Sequence, residues 1–278
     1  MALTERYQGF SVGSALAHRA TTDPERPFVT FRDVEWTYGE IDTRADALAA
    51  AMAHLGIEAG DRVAILLPAW PEYVVAMFAA AKLGAVIVPL NPRLTTPELH
   101  YMLRHSEAAI AVTVETLRGV DYLELFEELL VQLPELQYVV TVGEEDLWYD
   151  DRIFQFEDLL SVGRGRSFPV PEVSAEEDLF GILYTSGTTG KPKGVALTHE
   201  NFLQVAAGTV DSIGLQPDDR VIGMTALFHV FGIGPGLLGT LLAGASLVLQ
   251  DEFDGAVTLD LIEQHGVTVQ YGIPTLFV

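Results

Sequence analysis

The segment Tyr184-Thr-Ser-Gly-Thr-Thr-Gly-Lys-Pro-Lys-Gly-Val195 gathers hydroxyls, glycines and two ammonium groups into one short stretch. Gly187, Gly190 and Gly194 permit positive φ and close approach of backbone to ligand, so successive N–H groups can line one anion-binding concavity. Thr185, Ser186, Thr188 and Thr189 add hydroxyls able to donate to phosphate oxygens or to ligate Mg²⁺. Lys191 and Lys193 add mobile positive charge. They are two of only three lysines in the chain, the third being Lys82, and arginine makes up the rest of the sixteen basic residues. A chain this sparing of lysine has placed it where a polyphosphate would bind.

A Walker-type loop needs four residues between its first glycine and the Gly-Lys-Ser/Thr, with a helix following at once. Here only two residues separate Gly187 from Gly190, and Pro192 stands where Ser or Thr should be. Leu179 to Tyr184 and Gly194 to Thr198 instead read as two strands of a hairpin whose tip carries the glycines.

The elements that must position this loop alternate strand and helix. Phe28 to Phe31 and Val34 to Tyr38 read as a hairpin, followed by an alanine-rich helix over Ile41 to Leu55 that Gly56 terminates. Then come a strand at Arg62 to Leu67, a helix over Tyr73 to Leu83, a strand at Ala85 to Leu90, a helix from Thr96-Pro97 and a strand at Ala109 to Val114. Glu115 to Pro171 is more polar, with a strand at Tyr138 to Val142 and a linker from Gly163. From Leu179 a second alternation begins: the hairpin, a helix over His199 to Ile213, strands at Arg220 to Ala226 and Ala245 to Gln250 with a short apolar helix between, a helix over Val257 to His265 and a strand at Val267 to Tyr271. Apolar strands separated by helices imply an α/β fold with parallel sheets covered on both faces. The division expected is a first subdomain over residues 1–172 and a second, carrying the phosphate loop, over 173–278.

Composition sets the surroundings. Against 39 Asp plus Glu the chain sets 16 Lys plus Arg, for a net charge of −23. Charge of that size with so little lysine predicts a salt-adapted, halophilic surface, because molar salt shortens the Debye length to roughly 3 Å and relieves self-repulsion. The same charge argues against a nucleic-acid partner. Cysteine is absent, which excludes disulfides and thiolate chemistry. Val221 to Gln250 carries no formal charge, yet its glycines and flanking strands favour a buried α/β segment over an integral membrane span. The N-terminal residues lack the apolar run of a signal peptide, so a cytoplasmic location is expected.

Tyr184 to Val195 closely resembles the phosphate-loop signature of the AMP-forming acyl-CoA synthetases, within the adenylate-forming superfamily. Ala226-Leu-Phe-His-Val-Phe-Gly232 resembles the family's second core motif, Lys82 to Pro92 a third, and Tyr38-Gly-Glu-Ile-Asp42 and Gly60 to Ala64 also fit. The resemblance runs nearly end to end in the family's order. It implies two layered sheets flanked by helices, the incomplete large N-terminal domain of an adenylate-forming enzyme. It also implies that the Thr-Glu motif, the ribose-binding aspartate, the hinge and the small C-terminal domain with its catalytic lysine fall outside these 278 residues.

By that resemblance the substrates are a small carboxylic acid, ATP with Mg²⁺, and coenzyme A. Thr185 would approach the metal. Ser186, Gly187, Thr188, Thr189, Gly190, Lys191 and Lys193 would cover the β- and γ-phosphates, Lys193 also acting in catalysis. His229 would position the acid's carboxylate, with Phe231 and Gly232 lining the acid pocket. His54, His100, His105, His199 and His265 read as surface or helix-terminal residues. The pairs Glu144-Glu145, Asp150-Asp151 and Asp218-Asp219 read as solvated charge, and Trp36, Trp70 and Trp148 as packing. The reading is a fatty or medium-chain acid–CoA ligase. Its alternatives are an aryl- or amino-acid adenylating enzyme, or a nucleotide-binding remnant or docking subunit without turnover of its own, whose partner is a second copy or a separate C-terminal half.

Overall fold

The computed structural model describes residues 3–147, 150–185, 191–223 and 226–277. Its strands are β1 (Pro27–Phe31), β2 (Val34–Thr37), β3 (Arg62–Ile65), β4 (Val86–Pro89), β5 (Ala108–Val114), the short β6 (Thr116–Leu117) and β7 (Val120–Asp121), β8 (Tyr138–Val142), β9 (Ile153–Gln155), β10 (Leu179–Thr185), β11 (Lys193–Thr198), β12 (Arg220–Gly223), β13 (Ser246–Leu249) and β14 (Val269–Tyr271). Among the described residues they build a seven-stranded sheet, β11-β10-β4-β3-β5-β8-β9, and a five-stranded sheet, β14-β12-β13-β1-β2. Within each sheet neighbours run parallel except at the hairpins β10–β11 and β1–β2.

The α/β class stands, but the sheets do not divide at residue 172. The hairpin β10–β11, expected to open the second layer, completes the first sheet by laying Gly181 beside Ile87 of β4. A Cβ at Gly181 would lie 3.1 Å from the Ile87 side chain, so glycine permits this approach. Conversely, β1 pairs with β13, Val29 beside Leu247. Local periodicity marks a strand without naming its neighbour, and both long-range pairings therefore escaped the sequence pattern.

Helices begin where a side chain can take up free N–H groups. Thr37 and Glu40 form a reciprocal capping box on the helix Tyr38–His54, which starts three residues earlier than the apolar pattern suggested. Thr198 with Asn201 does the same for His199–Ile213. The helix Pro71–Lys82 is buried nearly throughout, packed on Tyr38–His54, on Val12–Thr22 and on β3 and β4. At its end Lys82, 9% exposed, is held by Asp42 at 2.6 Å and Asp46 at 2.5 Å. Tyr38 stacks on Phe28 and donates to the carbonyl of Ala245 at 2.7 Å, tying the helix Tyr38–His54 to the entry of β13.

The polar stretch 115–171 is more ordered than expected. Tyr122–Gln132 is a helix that buries Tyr122, Leu123, Phe126, Leu129 and Leu130, and Phe156–Gly163 is another. The glutamates between those apolar positions lowered the segment's mean hydropathy while leaving a helical spacing intact. Within the uncharged stretch a π-helix, Gly232–Leu238, contains Pro235 and passes into an α-helix, Gly239–Ala243. Among the described residues no helix is long and apolar enough to cross a membrane.

His199 begins its helix, as expected, but is fully buried. Its Nδ1 accepts the Val12 N–H at 3.1 Å, its Nε2 has no partner among the described residues, and burial holds its pKa down at about 4. An unfolded histidine titrates near 6.5, so between those values the unfolded chain binds the proton more tightly. The native state should therefore lose stability as pH falls, by about 2 kcal/mol at pH 5 from this residue. Urea unfolding at pH 7.5 and about 5 should show that loss in the wild type and a smaller one in His199→Asn.

Candidate functional site

The two arms of the phosphate hairpin are fixed by antiparallel pairing of Tyr184 with Gly194 and Thr185 with Lys193. Ser186, Gly187, Thr188, Thr189 and Gly190 lie outside the described residues. Thr185, Lys191 and Lys193 are exposed at the hairpin's end. Neither lysine has a carboxylate partner among the described residues, although salt bridges engage Lys82 and most arginines. The Lys191 ammonium lies 5.7 Å above the ring of Tyr101.

Tyr101 belongs to the helix Thr96–Ser106, which supports the hairpin. Its hydroxyl donates to the carbonyl of Pro192 at 3.3 Å, and His105 meets the Tyr184 hydroxyl through Nδ1 at 2.8 Å. Burial pushes the Tyr184 phenol up to about 12, which keeps it protonated. His105, expected to be a plain helix-terminal residue, thus bonds directly to the arm of the loop. Its spacing of four from Tyr101 was the available signal, since i and i+4 share a helix face.

The second motif forms a turn after β12. His229 donates its N–H to the Ala226 carbonyl at 3.0 Å and accepts the Ile233 N–H on its own carbonyl at 3.1 Å. The Phe231 N–H donates to Nδ1 of His229 at 3.2 Å. An acceptor Nδ1 places the proton of the neutral ring on Nε2, which leaves Nε2–H as the donor available to a ligand. The His229 side chain is exposed, Phe231 is half-buried and edge-on to Tyr271, and Gly232 is buried at the start of the π-helix. From the buried helix below, Tyr73 donates to the Leu227 carbonyl at 2.6 Å and pins this turn. Met224 and Thr225, expected in the strand, lie outside the described residues.

Between the sheets opens a cleft of about 440 Å³, lined among others by Leu67, Trp70, Asn91, Arg93, Arg118, Gly223, Ala226, Leu227, Phe228, Asp251 and Glu252. These residues follow the carboxyl ends of β3, β4, β12 and β13. Thr185 ends β10, which runs parallel to β4, so the phosphate hairpin projects from the same edge. The carboxyl edge of parallel strands, at the junction of two layers, is the usual place for a ligand. Among the residues of the sequence motifs, Ala226 to Phe228 and Asn91-Pro92 line the cleft directly; His229 follows them in the chain, and neither it nor the hairpin arms are part of the lining.

Sequence reasoning missed the cleft's charged wall. Glu252 accepts from Arg93 at 2.8 Å and from Arg118 at 2.7 Å, and Asp251 from Arg32 at 3.3 Å and from the Trp70 indole. Trp70 is therefore a hydrogen-bond donor across the cleft as well as packing; Trp148 lies outside the described residues. Of the acidic pairs, Asp218 meets Arg26 at 2.6 Å, Asp219 accepts from Thr268 at 2.8 Å, and Asp150 is held by Arg152 at 2.8 Å. Among the described residues, no group of three or more His, Cys, Asp and Glu side chains could hold a metal ion.

Comparison with known proteins agrees with this architecture. The profile of the AMP-binding enzyme family matches residues 16–278, and the chain belongs to that family. It is 32% identical to a feruloyl-CoA synthase from Amycolatopsis sp, over 98% of this chain and 50% of the relative. It is 29% identical to a long-chain-fatty-acid–CoA ligase of Bacillus subtilis (strain 168), over 95% of this chain and 50% of the relative. The crystal structure of the anthranilate CoA ligase AuaEII in complex with anthranoyl-AMP superposes with a TM-score of 0.89 at 26% identity, covering all of this chain and 52% of that one. The chain spans about half the length of the relatives it matches, in keeping with the N-terminal portion of such an enzyme.

The tautomer at His229 is directly observable. Long-range ¹H–¹⁵N spectra at alkaline pH should show the neutral ring protonated on Nε2. A ring protonated on Nδ1 would contradict the Phe231 hydrogen bond.

Proposed function

We propose that the protein activates a carboxylic acid with ATP, giving an acyl-adenylate and pyrophosphate, and that the acyl group then passes to the thiol of coenzyme A. The observation that carries this reading is the pair of lysines with no carboxylate partner among the described residues, on a hairpin that ends at the carboxyl edge of the sheet that forms one wall of the cleft. A carboxylate attacking the α-phosphate brings two anions together, so the site must collect positive charge and donors around the transition state. Lys191 and Lys193 supply charge toward the β- and γ-phosphates, and Lys193, paired with Thr185 across the hairpin, also meets the charge that develops as pyrophosphate leaves. The backbone and hydroxyls of Ser186 to Gly190 take the same phosphates by analogy with the family signature.

The Thr185 hydroxyl has no hydrogen-bond partner among the described residues and is exposed beside the lysines, which fits a neutral oxygen ligand for Mg²⁺. Bound there with phosphates, the ion would neutralise charge on the leaving pyrophosphate. His229 presents Nε2–H toward the acid's carboxylate and orients it. Phe231 and Gly232 begin the acid pocket, and Leu67, Leu227 and Phe228 supply apolar wall. These apolar walls fit an apolar acyl group, and the reading taken is a fatty or medium-chain acid. The reading includes a cytoplasmic, salt-adapted enzyme whose two sheets, each drawing strands from both halves of the chain, act together across the cleft.

Removing one charge-assisted contact to phosphate typically costs about 1.5–3 kcal/mol, on the order of ten- to a hundredfold in affinity. Titration calorimetry of Mg·ATP in molar KCl should therefore show Lys191→Ala and Lys193→Ala each weakening binding about tenfold or more. Unchanged affinity in both folded variants would overturn the phosphate assignment.

A further inference from the structure

The helix Thr96–Ser106 touches both arms of the hairpin through one turn of side chains. Tyr101 and His105 are four residues apart, and their rings stack at 5.5 Å with planes 24° apart. On the β10 arm, His105 bonds to Tyr184. On the β11 side, Tyr101 bonds to the Pro192 carbonyl, and Lys191 lies over its ring. The Tyr184 hydroxyl also donates to the carbonyl of Met102 at 3.2 Å. A carbonyl can only accept, so both contacts form together when the phenol proton goes to Met102 and His105 donates from Nδ1–H. Gly194, opposite Tyr184, leaves the ring room: a Cβ there would stand 3.5 Å from the ring and 2.8 Å from Ile182. The helix itself begins three residues after Arg93 of the cleft wall, capped by Thr95 and Glu98.

We infer that Tyr101 and His105 form a clamp that sets where the phosphate hairpin stands, with His105 as a positioning residue acting through Tyr184. This rests on the reading of the hairpin as the ATP site. Tyr184 and the Lys191-Pro192 pair flank the loop on its two sides, so releasing either lets the lysines swing out of register with the phosphates. The face of the Tyr101 ring holds the Lys191 ammonium at the hairpin without a carboxylate that would neutralise it. His105 is exposed, and its loss removes no core packing.

Mg·ATP affinity by calorimetry on the full chain in molar KCl, with thermal unfolding of each variant, tests the clamp. His105→Ala should weaken binding about fivefold. His105→Asn, whose amide can reach the Nδ1 position, should restore affinity to within about twofold of wild type. Tyr184→Phe, which also loses the Met102 bond, should weaken binding at least as much as His105→Ala, and the double variant should be no weaker than Tyr184→Phe, because His105 acts only through that hydroxyl. Melting temperatures should stay close to wild type. If His105→Ala binds as wild type does, if asparagine fails to rescue, or if the two substitutions add, the clamp is wrong. Loss of affinity in Lys191→Ala and Lys193→Ala with none in His105→Ala or Tyr184→Phe would sink the clamp alone. No effect in any of the four would sink the ATP reading with it.

Discussion

The structure depends on two strand pairings between distant parts of the chain. Gly181 of β10 lies beside Ile87 of β4, and Val29 of β1 lies beside Leu247 of β13. Each carries one half of the sequence into the other half's sheet, and together they bring the carboxyl edges of both sheets to one cleft. The buried helix Pro71–Lys82 is braced between them by polar contacts as well as by apolar packing. Its Tyr73 holds the turn before His229, and its Lys82 is shared by Asp42 and Asp46. Burial raises the Asp42 pKa, a pull that Lys82 opposes, so the lysine keeps an otherwise costly pair of carboxylates at the helix end.

Much of this was legible locally. The helix His199–Ile213 and the strand Tyr138–Val142 have the bounds the sequence suggested, because a capping threonine and an isolated β-branched run each specify their own ends. The hairpin arms that carry the lysines, β10 and β11, were legible from the strand pattern on either side of the glycines. Sheet membership was not, since apolar strands buried on both faces look alike whichever neighbour they take. The helix Tyr122–Gln132 was hidden by its glutamates. His105 and Trp70 gained their roles only from partners 79 and 181 residues away. His199 met a backbone N–H 187 residues distant that no local pattern announces.

Charge organises the site against the rest of the surface. On a chain of net charge −23 most basic side chains find carboxylates, and the cleft wall is an example, with Glu252 shared by Arg93 and Arg118. Lys191 and Lys193 stand apart, one of them resting on an aromatic face instead. A cation without a counter-charge on so acidic a protein is a place where an anionic ligand adds the missing charge. The histidine turn differs in kind: the Phe231 N–H donates to Nδ1 of His229, so in the neutral ring the proton sits on Nε2.

The central claim is that the hairpin and the cleft form one acid-activating site. Acid-dependent exchange of pyrophosphate into ATP, measured in molar KCl across fatty, aryl and amino acids on the folded chain together with the C-terminal half that the family resemblance implies, tests it most directly. The account expects exchange that requires a fatty or medium-chain acid. A folded protein that binds Mg·ATP yet supports exchange with no acid in any class would contradict it.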